Sequence, residues 1–278
     1  MNLRLRSVAL RHPAARPGAA PAVAAIDLQV TRGEQLAVIG ASGAGKTTLL
    51  QALALALPPS AGTLEVDGLD PWALPRRELQ RLRGTLLLAP QVPPLPPRQR
   101  VVTAVLAGRL PAMGWFASLR SLFYPADIPG AFAALQRFDL GEKLFERVDR
   151  LSGGERQRVG LARALVAPAR LWLVDEPLSA LDPARSRQAL ETLVGQAREK
   201  GATLIATLHQ VDMALAHFPR IVGLREGRIA FDLPTAEVTP ALLEQLYAQH
   251  EAELTGSAPA REPDPREPKP APVAMHCR

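Results

Sequence analysis

The sequence is poor in cysteine, lysine and aromatic residues: its 278 residues include one Cys, four Lys and only 4% Phe, Trp and Tyr. Because Cys277 has no partner within the chain, an internal disulfide is excluded and nothing requires an oxidising compartment. The longest apolar run, residues 49–57 apart from Gln51, is far shorter than the roughly 20 residues that cross a bilayer. We therefore expect a cytosolic protein that does not span a membrane, and its 47% hydrophobic content is enough for a large core.

The net charge of +6 and the pI near 10.2 come from arginine far more than from lysine. Such a charge could serve a nucleic acid or the anionic headgroups of lipids. Along most segments, however, the Arg residues stand beside acidic residues and form no dense basic run, which is typical of a solvated surface. We predict no nucleic-acid partner.

The first 25 residues are rich in Arg and Ala and contain no acidic residue, which faintly matches a transit peptide. The alternation of apolar and polar residues from Leu3 to Val8 favours the other interpretation, a first β-strand.

Strand and helix patterns alternate in two parts of the chain. In the first part, the apolar run 35–39 leads into a glycine-rich loop, and residues 47–57 predict a helix that Pro58 ends. The second part combines one predicted helix, 183–200, with three predicted strands, 171–174, 203–207 and 220–224. Strands that alternate with helices predict an α/β fold with a parallel sheet.

Residues 90–168 lack strand patterning, and we interpret them as a helical subdomain inserted into the sheet. The helical stretches in it are 101–110, 128–138 and 155–166. Residues 255–278 hold six prolines among interleaved charges, which predicts a disordered tail. No internal repeat is visible, which argues against a solenoid and against two tandem copies of one domain.

A complete phosphate-binding loop stands between the first predicted strand and helix of the core. Its residues are Gly40, Ala41, Ser42, Gly43, Ala44, Gly45, Lys46 and Thr47, followed by Thr48. The glycines let backbone N–H groups converge on phosphate oxygens, and the helix that follows adds the positive end of its dipole. In this loop type, Lys46 reaches the β and γ phosphates and the Thr47 hydroxyl can ligate Mg²⁺, so we expect ATP and Mg²⁺ as ligands.

Two further groups of residues fit phosphate chemistry. Asp175 and Glu176 end the apolar strand 171–174, at the edge of a parallel sheet where ligands gather. We assign Asp175 to the Mg²⁺ shell and Glu176 to the water that attacks the γ phosphate. The second group, Leu151 to Glu155, has the sequence Leu-Ser-Gly-Gly-Glu, a glycine-rich stretch that suits an anion at the start of a helix. The same residues also make a good helix N-cap with an acid in the first turn.

With these motifs the chain, from residue 1 to about 250, resembles the ATP-binding cassette family of transport ATPases. The resemblance implies a P-loop-type parallel sheet with an N-terminal antiparallel β subdomain and the helical insertion at 90–168. It also implies that Ser152, Gly153, Gly154 and Glu155 are the signature sequence, which binds the ATP of the partner subunit in a homodimer. By their order and spacing, the other matching residues are the glutamine-loop residue Gln91, a further Mg²⁺ ligand, the D-loop residues Ser179, Ala180, Leu181 and Asp182, and the switch histidine His209.

Two segments depart from the family pattern. Where the family usually has an aromatic residue that stacks on adenine, this chain has His12, which either stacks on the base or is an ordinary loop histidine. The glutamine loop contains five prolines in residues 90–97, so we expect it to be stiffer than usual.

The segment 114–124 holds four of the twelve aromatic residues, either as an interface for a partner or as the core of the helical subdomain. This segment and the sequence Leu-His-Gln-Val-Asp at 208–212 resemble the ATP-binding subunits of phosphonate importers. The resemblance implies a peripheral ATPase on the cytoplasmic face of the inner membrane, bound to permease subunits and served indirectly by a substrate-binding protein. The alternatives are a cassette ATPase for an amino acid, a metal or an exported solute, or a soluble cassette protein outside transport.

Overall fold

The structure is a computed structural model that describes residues 1–11 and 20–248 of the chain. His12 and the proline-rich segment 255–278 lie outside the described residues, so the adenine contact and the disordered tail stay predictions.

The described residues form nine strands and nine α-helices. The strands are β1 (Leu3–Leu10), β2 (Val23–Val30), β3 (Gln35–Ile39), β4 (Ala61–Val66), β5 (Leu86–Ala89), β6 (Leu171–Asp175), β7 (Thr203–Thr207), β8 (Arg220–Arg225) and β9 (Arg228–Pro234). The helices are α1 (Lys46–Leu53), α2 (Arg76–Arg83), α3 (Val101–Leu106), α4 (Trp115–Phe123), α5 (Ile128–Gln136), α6 (Gly153–Val166), α7 (Pro183–Glu199), α8 (Val211–His217) and α9 (Pro240–Leu246). Within residues 1–11 and 20–248, no helix has both the length and the apolar character to span a bilayer.

Two sheets organise the molecule. The larger sheet has the strand order β5-β6-β7-β3-β8-β9, and all neighbours run parallel except β8 and β9, which are antiparallel. The smaller sheet, β2-β1-β4, is antiparallel, so residues 3–10 are a strand as the alternation predicts. Together with the helices between β5 and β6, these sheets confirm the predicted fold class.

The central strands lie between two apolar layers. Every residue of β3, β6 and β7 is buried. One apolar cluster joins one face of these strands to α1 and the small sheet, and the other joins the opposite face to α3 and to α5–α8. Their continuous apolar sequences are typical of parallel strands that are covered on both faces.

The predicted helices 47–57 and 101–110 both end earlier in the structure, and one strand is missing from the predictions. The helix predicted to reach Leu57 ends at Leu53, because Leu55 takes a left-handed φ of 57° that turns the chain. The helix predicted over 101–110 is α-helical only to Leu106 and continues as a 3-10 helix, Ala107–Ala112, that contains Pro111. The sequence pattern does not predict β5, because a run of four apolar residues does not distinguish a strand from a helix.

Residues 90–168 contain helices and turns and no strand. At their centre lies α6, which packs against α3, α5 and α7. The aromatic segment forms α4, and its aromatic side chains are exposed: Trp115 by 72% and Phe116 by 81%. Of the two interpretations of this segment, the subdomain core is therefore wrong, and the aromatic residues form a surface.

Two glycines in helical segments give opposite predictions for substitution by alanine. At Gly195 in α7 an added Cβ would meet no atom within 4 Å, whereas at Gly108 it would lie 2.4 Å from the carbonyl oxygen of Arg163. Gly195→Ala should raise the free energy of unfolding by about 0.5–1 kcal/mol through its higher helix propensity. Gly108→Ala should lower it by about 1–3 kcal/mol through overpacking. Thermal unfolding monitored by circular dichroism measures both, and shifts in the same direction would contradict the packing around Gly108.

Candidate functional site

The loop between β3 and α1 folds tightly because of its glycines. Gly40, Gly43 and Gly45 have φ values of 150°, 80° and 100°, which side-chain-bearing residues rarely adopt. A Cβ at Gly40 would lie 2.1 Å from the carbonyl oxygen of Leu224, so only glycine fits there. Since Gly45 gives α1 no side-chain cap, the N–H groups at the start of this helix face the loop and suit an anion.

Lys46 adds a positive charge to this loop. Its side chain is only 4% exposed, and Nζ donates hydrogen bonds to the carbonyl oxygens of Gly40 (2.7 Å) and Ala41 (3.1 Å). These bonds fix the ammonium group where the loop wraps around it, so that an incoming phosphate meets a preorganised cation.

A cleft of about 640 Å³ lies in front of the loop. It brings together residues from five separate parts of the chain, which are Ala22, Ser42, Gly43, Gly45, Lys46, Thr47, Thr48, Gln91, Glu176 and His209. The structure thus places the phosphate loop, the glutamine-loop residue, the strand-end glutamate and the switch histidine around one space.

The acidic pair at the end of β6 is held by a threonine of the neighbouring strand. Asp175 is 5% exposed, and its Oδ1 accepts a hydrogen bond of 2.6 Å from the Thr207 hydroxyl. The same hydroxyl accepts a hydrogen bond of 2.9 Å from the backbone N–H of Glu176. Thr207, which is fully buried, therefore orients the side chain of Asp175 and the backbone of Glu176 at once.

Glu176 has an unusual backbone and a fully engaged carboxylate. Its φ of 45° is left-handed, a strained conformation that often marks functional sites in non-glycine residues. The Nε2 of His209 lies 2.5 Å from Oε1, and the Nε2 of Gln91 donates to Oε2 at 2.8 Å. The carboxylate thus connects the glutamine loop to the histidine that follows β7.

The pKa of Glu176 is lowered from its ordinary value. Burial alone raises the pKa, but the hydrogen bond from His209 and the charges of His209 and Lys46 outweigh burial. The carboxylate is therefore ionised at neutral pH and is able to accept a proton.

The pentad at 151–155 forms the start of α6. Ser152 is the N-cap and accepts a hydrogen bond from the N–H of Glu155, while the Glu155 carboxylate accepts one from the N–H of Ser152 at 2.7 Å. The bond from the Ser152 backbone is the main reason that the pKa of Glu155 is lowered. The helix N-cap inferred from the bare residues is thus a reciprocal capping box.

The residues predicted to be the signature lie outside the chain's own cleft. Ser152 and Gly153 are exposed, and a Cβ at Gly153 would meet no atom within 4 Å. Gly154 packs instead on the segment 179–182, since a Cβ there would lie 2.8 Å from the carbonyl oxygen of Ala180. None of the four signature residues lines the cleft in the described part of the chain, and of the D-loop, Asp182 is the N-cap of α7.

The residues predicted for Mg²⁺ supply a sparse set of oxygen donors. Thr47 and Gln91 line the cleft, whereas Asp175 borders a neighbouring cavity of about 70 Å³ under the glutamine loop. Among the described residues, no group of three or more His, Cys, Asp or Glu side chains could hold a metal. Such a set fits Mg²⁺, which keeps several waters and takes oxygens from substrate phosphates rather than a cage of protein ligands.

Two residues of the site are not predicted from the sequence. Thr207 is the last residue of the buried strand β7, and its contact with Asp175 becomes visible only when β6 and β7 pair. Tyr247, which is 1% exposed, accepts a hydrogen bond of 3.1 Å from the N–H of Gly40. The only available signal was that both residues carry a hydroxyl within apolar surroundings, where it needs a partner.

Comparisons with known families and structures agree with the phosphate-binding loop and the fold described above. The family model described as "ABC transporter" matches residues 23–179. The structure is similar to two solved structures that share its fold, a dimeric MJ0796 cassette (TM-score 0.72, 23% identity) and MJ0796 bound to ADP and Pi after hydrolysis (TM-score 0.70, 24% identity). Both alignments cover 84% of this chain and 98% of the other.

Curated relatives match over the whole chain. The phosphonates import ATP-binding protein PhnC 2 of Albidiferax ferrireducens is 67% identical over 278 residues, which is 100% of both chains. A protein of the same name from Pseudomonas aeruginosa is 53% identical over 263 residues, covering 95% of this chain and 97% of the relative. By family model and by these relatives, the chain belongs to the ATP-binding cassette (ABC) transporter family.

Proposed function

We propose that this chain is the ATP-hydrolysing subunit of an importer that takes up phosphonates or a related phosphorus oxyanion across the cytoplasmic membrane. The observation that carries the proposal is the 67% identity, over both full lengths, to a phosphonates import ATP-binding protein. The cleft supports it, because a phosphate loop, an ionised glutamate and a histidine share one space.

The phosphate loop and Lys46 would bind the β and γ phosphates of ATP in the cleft. Thr47 and Asp175, with Gln91, would hold Mg²⁺, which neutralises phosphate charge that develops during hydrolysis. Glu176 would orient the attacking water and accept its proton, and His209 would hold the carboxylate in place.

The hydrogen bonds of Glu176 imply an order of events. Both carboxylate oxygens are engaged, one by His209 and the other by Gln91. Water gains access to the carboxylate when Gln91 leaves Oε2, so a movement of the glutamine loop would license hydrolysis. Gln91 would then join the phosphate or the metal shell, as the resemblance implies.

We infer a homodimer from the position of the signature. Ser152 and Gly153 are exposed, lie at the start of a helix and do not line the chain's own cleft. The start of a helix suits an anion, and the γ phosphate bound by a second copy would supply one. The dimeric MJ0796 cassette has the same fold.

The remaining parts of the proposal concern location and domain limits. The chain would lie on the cytoplasmic face of the inner membrane, bound to permease subunits and coupled through them to a substrate-binding protein. Residues 1–254 would form the ATPase domain, with the helical subdomain at about 90–168, and residues 255–278 a tail outside it.

Replacing Glu176 by Gln should preserve ATP binding and trap an ATP-bound dimer, because the amide keeps the shape of the side chain but cannot accept a proton. Size-exclusion chromatography with light scattering should show a dimer with ATP and a monomer without it. Lys46→Ala in the same background should remain monomeric, since the phosphate loop loses its cation. A Glu176→Gln chain that stays monomeric in saturating ATP would contradict the paired site.

Mixing two inactive variants tests whether the signature acts on the partner's ATP. Gly153→Asp has room for its side chain, but its carboxylate would repel the γ phosphate. Lys46→Ala and Gly153→Asp should each lack ATPase activity alone. Their mixture should regain part of it, because each heterodimer combines one intact phosphate loop with one intact signature. A mixture as inactive as its components would argue that each chain completes its own site.

Thr207→Val should slow hydrolysis about 10-fold or more, since a side chain that hydrogen-bonds to a metal ligand, as Thr207 does to Asp175, typically contributes 10–100-fold. Thr203→Val is the matched control, because Thr203 is equally buried and bonded but lies at the other end of β7. Both variants should lose some stability, whereas only Thr207→Val should lower kcat and raise the Mg²⁺ concentration needed for ATP-dependent dimerisation. Thr207→Ser should keep kcat and the Mg²⁺ requirement close to those of the unaltered chain. If the two valine variants change the kinetics equally, Thr207 contributes only packing.

The substrate class is tested with the complete transporter, reconstituted with its binding protein in lipid. Alkylphosphonates should stimulate ATP hydrolysis, while amino acids and sulfate should not. Stimulation by inorganic phosphate as well would indicate a transporter for phosphorus oxyanions in general, and no stimulation by it would indicate one for phosphonates. Stimulation by an amino acid without any response to phosphonates would refute the proposed cargo while leaving the ATPase assignment intact.

A further inference from the structure

Helix α4 has large apolar side chains on its exposed side and serine on the side that faces the protein. Ser121 is buried and donates a hydrogen bond of 2.8 Å to the carbonyl oxygen of Ser118, so serines lie on the side that faces the protein. The large apolar side chains point outward, with exposures of 72% for Trp115, 81% for Phe116 and 74% for Phe123.

The outward residues form a continuous surface, which we call the aromatic face: Trp115, Phe116, Leu119, Phe123 and Tyr124. Leu119 and Tyr124 are 48% and 74% exposed, and the rings of Trp115 and Phe116 pack edge to face at 4.9 Å. A contiguous apolar patch of this kind on a soluble surface marks a site of contact with a partner. The part of the partner that contacts the aromatic rings must therefore be apolar.

Charge identifies the chemistry of the cover. The segment that carries α4, residues 110–126, contains Arg120 and no Asp or Glu, an exception to the mixed charge of most of the chain. Arg120 lies on α4 itself, is exposed and forms no ion pair within the described residues. The cover of the aromatic face should therefore be apolar next to a layer of negative charge.

A membrane surface meets both requirements better than a permease loop does. Cytoplasmic loops of membrane proteins carry an excess of Lys and Arg, which this basic segment would repel. The cytoplasmic leaflet is negatively charged, and Trp and Tyr prefer the boundary between headgroups and acyl chains. A short helix with an aromatic face and an arginine is typical of helices that lie in this boundary.

We propose that α4 contacts the lipid surface, with the aromatic face inserted among the headgroups and Arg120 beside their phosphates. None of the residues of the aromatic face lines the nucleotide cleft. With so few inserted side chains it is weak alone, and it gains strength when a second attachment holds the chain at the membrane.

The test uses the full chain and vesicles made with or without phosphatidylglycerol. We expect sedimentation with the anionic vesicles, weakened by salt, and a blue shift of tryptophan emission. Trp115 is the reporter, because Trp172 is fully buried and Trp72 lies half-buried outside α4, under the guanidinium of Arg83. Trp115→Phe should abolish most of the blue shift while the chain still binds. Phe116→Ser with Phe123→Ser should weaken binding about 10-fold or more.

The matched control is Leu69→Ser with Phe145→Ser, which removes two exposed apolar side chains outside α4 and should bind like the unaltered chain. Both double variants should keep their unfolding temperature and ATPase activity. Binding that is unaffected by loss of the two phenylalanines would overturn the proposal, because basic charge alone would then explain it. Failure to bind any vesicle would also overturn the proposal. If purified permease, rather than lipid, then shields the fluorescence of Trp115 from a soluble quencher, the partner of the aromatic face is a protein.

Discussion

The parallel pairing of β6, β7 and β3 is the constraint on which the site depends. Parallel strands end at one edge of the sheet, so Asp175, Thr207 and the phosphate loop become neighbours although they are far apart in the chain. Thr207 pairs with Asp175 on one side and with Val38 on the other. A slip of one residue would turn the Thr207 hydroxyl to the opposite face of the sheet and leave a buried carboxylate oxygen without its donor.

The strained backbone of Glu176 is a consequence of the same edge. Its N–H is held by Thr207, while its carboxylate is held from two other segments by His209 and Gln91. A left-handed conformation persists in a non-glycine residue only where several surrounding contacts require it. These contacts hold the carboxylate of Glu176 at the cleft, and its lowered pKa keeps it ionised.

The proline-rich glutamine loop extends this arrangement to the signature helix. A Cβ at Gly160 of α6 would lie 2.7 Å from Cγ of Pro93, so the loop and the helix are in direct contact. Because α6 begins at Gly153, with Ser152 as its N-cap, we expect a movement of the stiff loop at Gln91 to be passed to the start of this helix. The prolines that predict low mobility within the loop therefore favour its movement as one body with α6.

The phosphate loop, the acidic strand end and the N-cap at Ser152 are predictable from the sequence, because each depends on contiguous residues whose backbone conformation is local. The parallel sheet is predictable too, since continuous apolar strands alternate with helices. The contacts of Gln91 and His209 with Glu176, the support from Thr207 and Tyr247 and the outward-facing aromatic residues of α4 emerge only in the folded chain. Those facts depend on strand register and on which helix face is covered, and both are set by contacts between residues that are distant in sequence.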